Sequence, residues 1–223
     1  MIVRGIIEKD DFFDRAQAFT TTPGHNGWTI KDTSSSGTPT YLCATEDGGA
    51  AVLTLAATSE AEIVTLYNND VLPLDLANLQ QVEIIAKVSG IDAVTTLCMG
   101  VANAQNDTAD SVTVNAWFRI EGSVSTSNVV CETDDTVTDN DDKASGTTLA
   151  AVYKQFVIDF TNGLSDIRFF IDGERVASGT TFSMTGITAG QNVQPFIQLQ
   201  KASGTGVPAI TIARFKTVQR FAY

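Results

Sequence analysis

Apolar and polar residues alternate along much of the chain. The segments AAVLTLAA (50–57), QVEIIAKV (81–88), LCMGV (97–101) and SVTVNAWFRIEG (111–122) carry an apolar side chain at every second position. This spacing predicts half-buried β-strands with one apolar face turned to a core. The predicted core-facing residues are Ala51, Leu53, Leu55, Val82, Ile84, Ala86, Val88, Leu97, Met99, Val101, Val112, Val114, Ala116, Phe118 and Ile120.

Turn-forming clusters separate these segments. TTPGHNG, SSSGTP, YNNDVLP, VSGID and NAQNDTAD are examples, rich in Gly, Pro, Asn, Asp and Ser. Many short strands between such turns indicate an all-β sandwich or barrel. The single helix candidate is LPLDLANLQQ, Leu72 to Gln81, about two turns long with Asp75 as a possible cap.

The segment FVIDFTNGLSDIRFFIDGERVA, residues 156–177, predicts a strand pair followed by a tight hairpin. Phe156, Ile158 and Phe160 share one face of its first strand, and Ile167, Phe169 and Ile171 are predicted to share one face of the second. Asp-Gly at 172–173 is typical of a two-residue type I′ turn, in which both residues need a positive φ. The four acidic residues of this segment are therefore interpreted as turn and surface positions.

Two longer passages resemble a known fold family. YKQFVIDFTNGLSDIRFFIDGERVA followed by FSMTGITAGQNVQPFIQLQKASGTG is similar to the second half of a concanavalin A-like (laminin G-like) jelly roll, and DDFFDR…GW and LPLDLANLQQVEIIAKV fit its first half. The resemblance implies one domain, 1–223, folded as a two-sheet antiparallel β-sandwich with little helix. The variant with QPFIQLQKASG resembles virion proteins of tailed bacteriophages, especially capsid decoration or cement proteins.

Charge and hydropathy exclude several classes of partner. The net charge is −12, with a pI near 4.3, which argues against nucleic-acid binding because phosphates must be neutralised by Lys and Arg. The apolar runs are far shorter than the roughly 20 residues of a membrane-spanning helix. The N-terminal MIVRGIIEKDDFF is not typical of a secretory signal, so we expect synthesis and folding in a host cytoplasm.

The residue types needed for common catalytic sites are scarce. His25 is the one histidine, and the three cysteines, Cys43, Cys98 and Cys131, are widely spaced, so neither a nucleophile–His pair nor a zinc site is indicated. Glycan-cleaving enzymes of this fold carry paired carboxylates on one strand, as in E-x-D-x-x-E, and no such run occurs. The sequence predicts a protein that is not an enzyme and has no cofactor.

Two ligand sites remain open as alternatives. The stretch ETDDTVTDNDDKASG is interpreted as a solvated acidic loop, with a calcium site at Asp134, Asp135 and Asp139 as the alternative, although the spacing of an EF-hand is absent. Aromatic side chains would supply a sugar-binding platform or part of the core. These are Trp28, Trp117, Tyr41, Tyr67 and Tyr153.

The function predicted from these features is structural. The chain is expected to decorate or cement the outer capsid surface of a bacteriophage by multivalent contacts with the major capsid protein, as a homotrimer or homodimer. The expected contact segments are an N-terminal arm, about 1–10, and a C-terminal strand, about 209–223. The alternative is a carbohydrate- or receptor-binding module of a phage fibre or tail. The predicted contact residues are Ile2, Arg4, Arg214, Phe215, Lys216, Arg220, Phe221 and Tyr223.

Overall fold

The alternating segments form strands of two antiparallel sheets, which confirms the predicted all-β sandwich. The structure is a computed structural model that describes residues 4–13, 19–46 and 48–222. Sixteen strands occur in this part of the chain. Eight belong to each sheet, and every pairing between them is antiparallel.

The first sheet contains strands from both ends of the chain. Its strands are β1 (Arg4–Phe12), β3 (Thr40–Ala44), β4 (Ala50–Thr54), β7 (Leu79–Ser89), β12 (Lys154–Asp159), β13 (Arg168–Ile171), β14 (Glu174–Val176) and β16 (Ala209–Ala222). Their order is β14-β13-β12-β7-β16-β4-β3. Strand β1 also pairs with β16, so that the long last strand has β4 beside its first half and β1 beside its second.

The second sheet carries the candidate site described below. Its strands are β2 (Thr29–Asp32), β5 (Glu62–Tyr67), β6 (Leu74–Asp75), β8 (Thr95–Ala102), β9 (Asn115–Glu121), β10 (Asn128–Asp134), β11 (Asp139–Thr148) and β15 (Asn192–Lys201). Their order is β11-β10-β9-β8-β15-β5-β2, and β6 adds to β15. Strands β9, β10 and β11 therefore lie together at one side of this sheet.

The predicted helix at Leu72–Gln81 is wrong. Residues 74 and 75 form the short strand β6 and β7 begins at Leu79, while the Asp75 carboxylate accepts the Ala77 N–H at 3.1 Å and closes a turn between them. The pairing of β6 with β15 supplies backbone hydrogen bonds that a helix would have to replace. The described residues contain two short 3-10 helices, His25–Gly27 and Ala109–Ser111. No helix in this part of the chain is long and apolar enough to cross a membrane.

The core between the sheets is built from the predicted apolar faces. Phe118 of the second sheet meets Phe156 and Phe169 of the first, with ring centroids 5.1 Å away in both cases. All the predicted core-facing residues are buried, but Val112 is not part of this core. It follows a 3-10 turn instead of lying in β9, so strand periodicity does not reach it.

The predicted Asp172–Gly173 hairpin is confirmed. Both residues have a positive φ, 52° and 82°, and Ile171 pairs with Glu174 across the turn. The Asp172 carboxylate also accepts the Gln155 N–H at 2.9 Å and the Lys154 ammonium at 2.7 Å. These bonds hold the pKa of Asp172 below its ordinary value, with the Lys154 bond as the largest cause. Its role is to fix the turn onto β12.

Replacement of Phe118 by alanine tests the importance of this aromatic contact. Phe118→Ala removes the ring that joins the two sheets, and we expect the free energy of unfolding to fall by about 3–5 kcal/mol. Urea denaturation followed by circular dichroism measures this change. Val124→Ala is the control, because Val124 is exposed and should change the unfolding free energy by less than about 0.5 kcal/mol. Equal effects of the two substitutions would contradict the assignment.

Candidate functional site

The predicted contact segments are the paired strands β1 and β16. Arg214 donates to Asp10 at 2.6 and 2.8 Å and to Glu83 at 2.9 Å, and Lys216 pairs with Glu8 at 2.6 Å. These two basic side chains are thus engaged within the first sheet. The segment predicted as an N-terminal arm is, from residue 4 onward, a strand in register with the C-terminal strand.

The remaining predicted contact residues divide into four groups. Phe215 is buried and packs edge-on against Trp28, with centroids 5.3 Å apart, so its side chain belongs to the core and not to a contact surface. Arg220 is exposed near the end of β16, where it pairs with Ile6 of β1. The backbones of Arg4 and Phe221 lie in the same pairing, while Ile2 and Tyr223 lie outside the described residues.

The acidic stretch is a β-hairpin and not a solvated loop. Strand β10 ends at Asp134, and β11 begins at Asp139 directly opposite it. The buried Asp135 carboxylate accepts the backbone N–H groups of Val137 at 3.0 Å, Thr138 at 2.6 Å and Gly186 at 2.6 Å. It therefore fixes the hairpin turn and ties it to a neighbouring loop.

The three candidate calcium ligands have different surroundings. Asp134 accepts the Thr136 N–H at 2.8 Å, and its pKa is raised, chiefly by burial. Asp139 is exposed at the start of β11. No group of three His, Cys, Asp or Glu side chains that could hold a metal ion occurs in residues 4–13, 19–46 and 48–222.

Aromatic side chains on the outward face of the second sheet are covered. Trp117 lies over Phe196, with centroids 5.7 Å apart, and Tyr67 belongs to the same cluster. Ala109 and Val112, from the segment between β8 and β9, pack onto these rings. Of the two alternatives for Trp117, a sugar-binding platform or a buried position, the structure supports the buried one, because the chain itself covers the ring. Trp28 is buried as well.

Polar contacts hold this covering segment, residues 103–114, onto the sheet. The Gln105 N–H donates to Asp70 at 2.9 Å, and Lys31 pairs with Asp107 at 3.2 Å. At its far end Asp110 pairs with Arg119 of β9 at 2.6 Å. The centre of the outward face is thus closed, and the face remains accessible beyond Arg119, toward β10 and β11.

A cluster of carboxylates lies at this accessible end. Because Phe118, Ile120, Val129 and Cys131 face the core, their neighbours Arg119, Glu121 and Glu132 face outward. Glu132 accepts the Trp117 indole N–H at 2.6 Å and an Arg119 N–H at 3.2 Å, and Arg119 also pairs with Glu121 at 2.8 Å. One guanidinium therefore meets the carboxylates of Asp110, Glu121 and Glu132.

Burial raises the pKa of the Glu132 carboxyl group. The carboxyl group is almost inaccessible, and this raises its pKa to about 7, against the lowering effects of Arg119 and of the Trp117 hydrogen bond. The exposed Asp142 of β11 raises this pKa further, because its nearby negative charge disfavours ionisation of Glu132. A carboxyl group poised near neutral pH beside a second carboxylate is a common feature of proton-transfer sites.

An open cavity of about 190 Å³ lies beside Asp142. We call it the acid pocket, and it is lined by Glu121, Val124, Ser125, Asn128, Val130, Asp142 and Ala144. Two carboxylates, one hydroxyl and one amide thus surround a partly apolar floor. Such a lining suits a small polar molecule with several hydroxyl groups.

The carboxylate pair escaped sequence reasoning because that reasoning looked along a single strand. Glu132 lies on β10 and Asp142 on β11, and the register of the hairpin, with Cys131 opposite Lys143, brings them together. The available signal was the hairpin itself, an acidic residue on each side of a short turn.

Comparisons with known proteins identify the fold. No family model matches the chain, and no curated protein matches it. One similar solved structure was described with the endo-acting O-glycanases that human gut bacteria express to initiate mucin breakdown. It superposes with a TM-score of 0.62 at 8% identity, and the match covers 95% of this chain and 98% of that one. A laminarinase from Flavobacterium sp. UMI-01 gives 0.61 at 14% identity, covering 95% and 99%.

A β-1,3-glucanase from Mycobacterium marinum gives a TM-score of 0.59 at 12% identity, covering 96% of this chain and 97% of that one. The fold is a concanavalin A-like β-sandwich. At these identities the likeness establishes the fold and leaves the activity to be argued from the site.

The predicted capsid-decoration function is wrong. Solved structures that share this fold over nearly their whole length include glycan-cleaving enzymes, among them the laminarinase and the glucanase, and they give no support to a structural role on a capsid. The jelly-roll part of the resemblance is confirmed, and its extension to phage capsid proteins is not supported.

The prediction that the chain is not an enzyme is also wrong. It relied on the absence of paired carboxylates along one strand, whereas the structure pairs Glu132 with Asp142 across two strands. Enzymes such as this laminarinase and this glucanase share the fold.

The raised pKa of Glu132 predicts a pH-dependent stability. The folded state holds this proton more tightly than the unfolded state does. The free energy of unfolding therefore falls as the pH rises from the pKa of Glu132 in the unfolded chain, near 4.5, through its pKa in the folded protein, about 7. The Glu132→Gln variant has no ionisable group at this position, so it lacks this pH-dependent part of the stability. We expect the melting temperature of the wild type, relative to that of Glu132→Gln, to fall by roughly 5–10 °C over this range.

Differential scanning calorimetry of both proteins across this pH range measures the effect. Asp159→Asn is the control, since Asp159 lies in the first sheet and accepts a local turn bond from Thr161. Parallel melting curves for the wild type and Glu132→Gln would contradict the assignment.

Proposed function

We propose that this protein is a carbohydrate-active protein that binds a glycan chain at the acid pocket and cleaves it with the Glu132–Asp142 pair. The observation that carries the proposal is the juxtaposition of a proton-retaining carboxyl with an exposed carboxylate beside an open cavity. Glycosidic bond cleavage needs this combination, an acid for the leaving oxygen and a carboxylate as base or nucleophile.

The residues around the pair have distinct roles in this proposal. Glu132 donates the proton, and Trp117 and Arg119 orient its two oxygens through the bonds already described. Asp142, on the exposed strand β11, activates water or attacks the sugar. Glu121 and Asn128 of the pocket wall accept and donate hydrogen bonds to sugar hydroxyls.

Charge and size limit the substrate class. The pocket carries two carboxylates and the whole chain has a net charge of −12, so an anionic polysaccharide would be repelled. A cavity of about 190 Å³ is smaller than a typical small-molecule site of roughly 300–1,000 Å³ and fits one sugar unit of a longer chain. Neutral glycans are therefore favoured, and the glucanase-type relatives make β-glucans the first class to test.

A second candidate, glycan binding without cleavage, is favoured by one observation. Both oxygens of Glu132 are engaged by Trp117 and Arg119, and its side chain is 4% exposed. If the protein binds glycans without cleaving them, Glu121, Asn128 and Asp142 hold the sugar and Glu132 fixes the strand behind them. The two candidates differ in product formation and share the same pocket.

Activity and binding assays with matched variants test both candidates. We expect the wild type to release reducing ends from laminarin or another neutral β-glucan, and Glu132→Gln and Asp142→Asn to lower the rate by about 10²–10⁴-fold while binding persists. Reducing-end assays and isothermal titration calorimetry measure the two properties. Asp172→Asn, which changes a carboxylate of the first sheet, should leave both unchanged.

Binding without product would favour the second candidate. Absence of both binding and cleavage across neutral β-glucans and mucin O-glycans would overturn the proposal.

A further inference from the structure

A lysine is completely buried at one end of the sandwich. Lys201 is the last residue of β15, and its side chain has no solvent exposure. It points between the sheets, like Leu199 and Ile197 two and four residues earlier. A buried ammonium is unfavourable unless its charge and its three N–H groups are matched, so its surroundings determine what this position is built to hold.

Oxygen atoms surround this ammonium. Lys201 Nζ donates to the backbone carbonyls of Ala56, of Thr58 at 2.7 Å and of Gly206 at 3.3 Å, and lies 3.7 Å from a Glu62 carboxylate oxygen. The carbonyls come from two loops, those before β5 and before β16, and Glu62 is the residue opposite Lys201 in the β15–β5 pairing. Three carbonyls match three protons, and one carboxylate matches one charge.

The carboxylate is itself held in place. Glu62 accepts the Ala56 N–H at 2.7 Å and the Thr58 hydroxyl at 2.7 Å, and its side chain is fully buried. Gly37 lies against it, and a Cβ there would collide with the Glu62 carboxylate. The Ala56, Thr58 and Glu62 side of the cage is therefore held together by contacts that do not involve Lys201.

We propose that these oxygens form a monovalent-cation site whose occupant is the chain's own Lys201 ammonium. Backbone carbonyls that replace a hydration shell are the ligands by which proteins hold K⁺. The single carboxylate balances one positive charge, whereas a divalent ion would leave one charge uncompensated in a buried position. Truncation of Lys201 thus leaves a site for K⁺ or a small alkylammonium ion.

Lys201→Ala in different chloride salts tests the proposal. We expect its melting temperature in choline chloride to lie roughly 10 °C below that of the wild type, because Glu62 is left buried without its partner. Potassium chloride or methylammonium chloride at the same ionic strength should restore about 5 °C or more. Choline is too large to enter the cage, so it supplies ionic strength alone. The wild type should melt at the same temperature in all three salts.

Two variants serve as controls. Lys201→Met fills the cage with an apolar side chain of similar length and should show no preference among the salts. Lys154→Ala removes a lysine that pairs with the half-exposed Asp172 at 2.7 Å, and its melting temperature should not depend on the choice of salt either.

A Lys201→Ala protein that melts alike in all three salts, or that is unfolded in all of them, would overturn the proposal. Folding in potassium or methylammonium chloride alone would support it. These outcomes do not depend on glycan binding.

Discussion

The centre of the second sheet is buried on both faces, and the main features of this protein depend on that constraint. One face packs against the first sheet around Phe118, and the other lies beneath residues 103–114. Strand β9 consequently has buried side chains in succession from Asn115 to Ile120, and they include Arg119. Polar groups on such a sheet must find partners within the protein, because water does not reach them.

The charge cluster around Arg119 follows from this constraint. A single buried guanidinium contacts three carboxylates, from Asp110, Glu121 and Glu132, and so cannot compensate all of them. Asp110 and Glu121 reach solvent, whereas Glu132 does not, and this burial raises the pKa of Glu132 to about 7.

Local patterns predicted the parts of this fold that local physics determines. Alternation located the core faces of β7, β8 and β12, and the Asp172–Gly173 pair located a turn, since each depends on neighbouring residues and backbone angles alone. The contacts made by Val112 and Trp117 are non-local. An aromatic residue on the outward face of a strand has the same sequence spacing whether it is exposed or buried. Trp117 is buried because residues 103–114 fold back over the sheet and cover it.

The carboxylate pair illustrates why the site was harder to predict than the fold. Its two members come from adjacent strands, so their proximity depends on a hairpin register that contains a bulge between Cys131 and Thr133. A shift of one residue would turn Glu132 toward the core and leave the pocket without its acid. Resemblance to a family specifies the core positions that maintain the sandwich, whereas the chemistry belongs to outward positions that the core does not constrain. The same jelly roll therefore fits several functions, and the decision among them lies with residues such as Glu132 and Asp142.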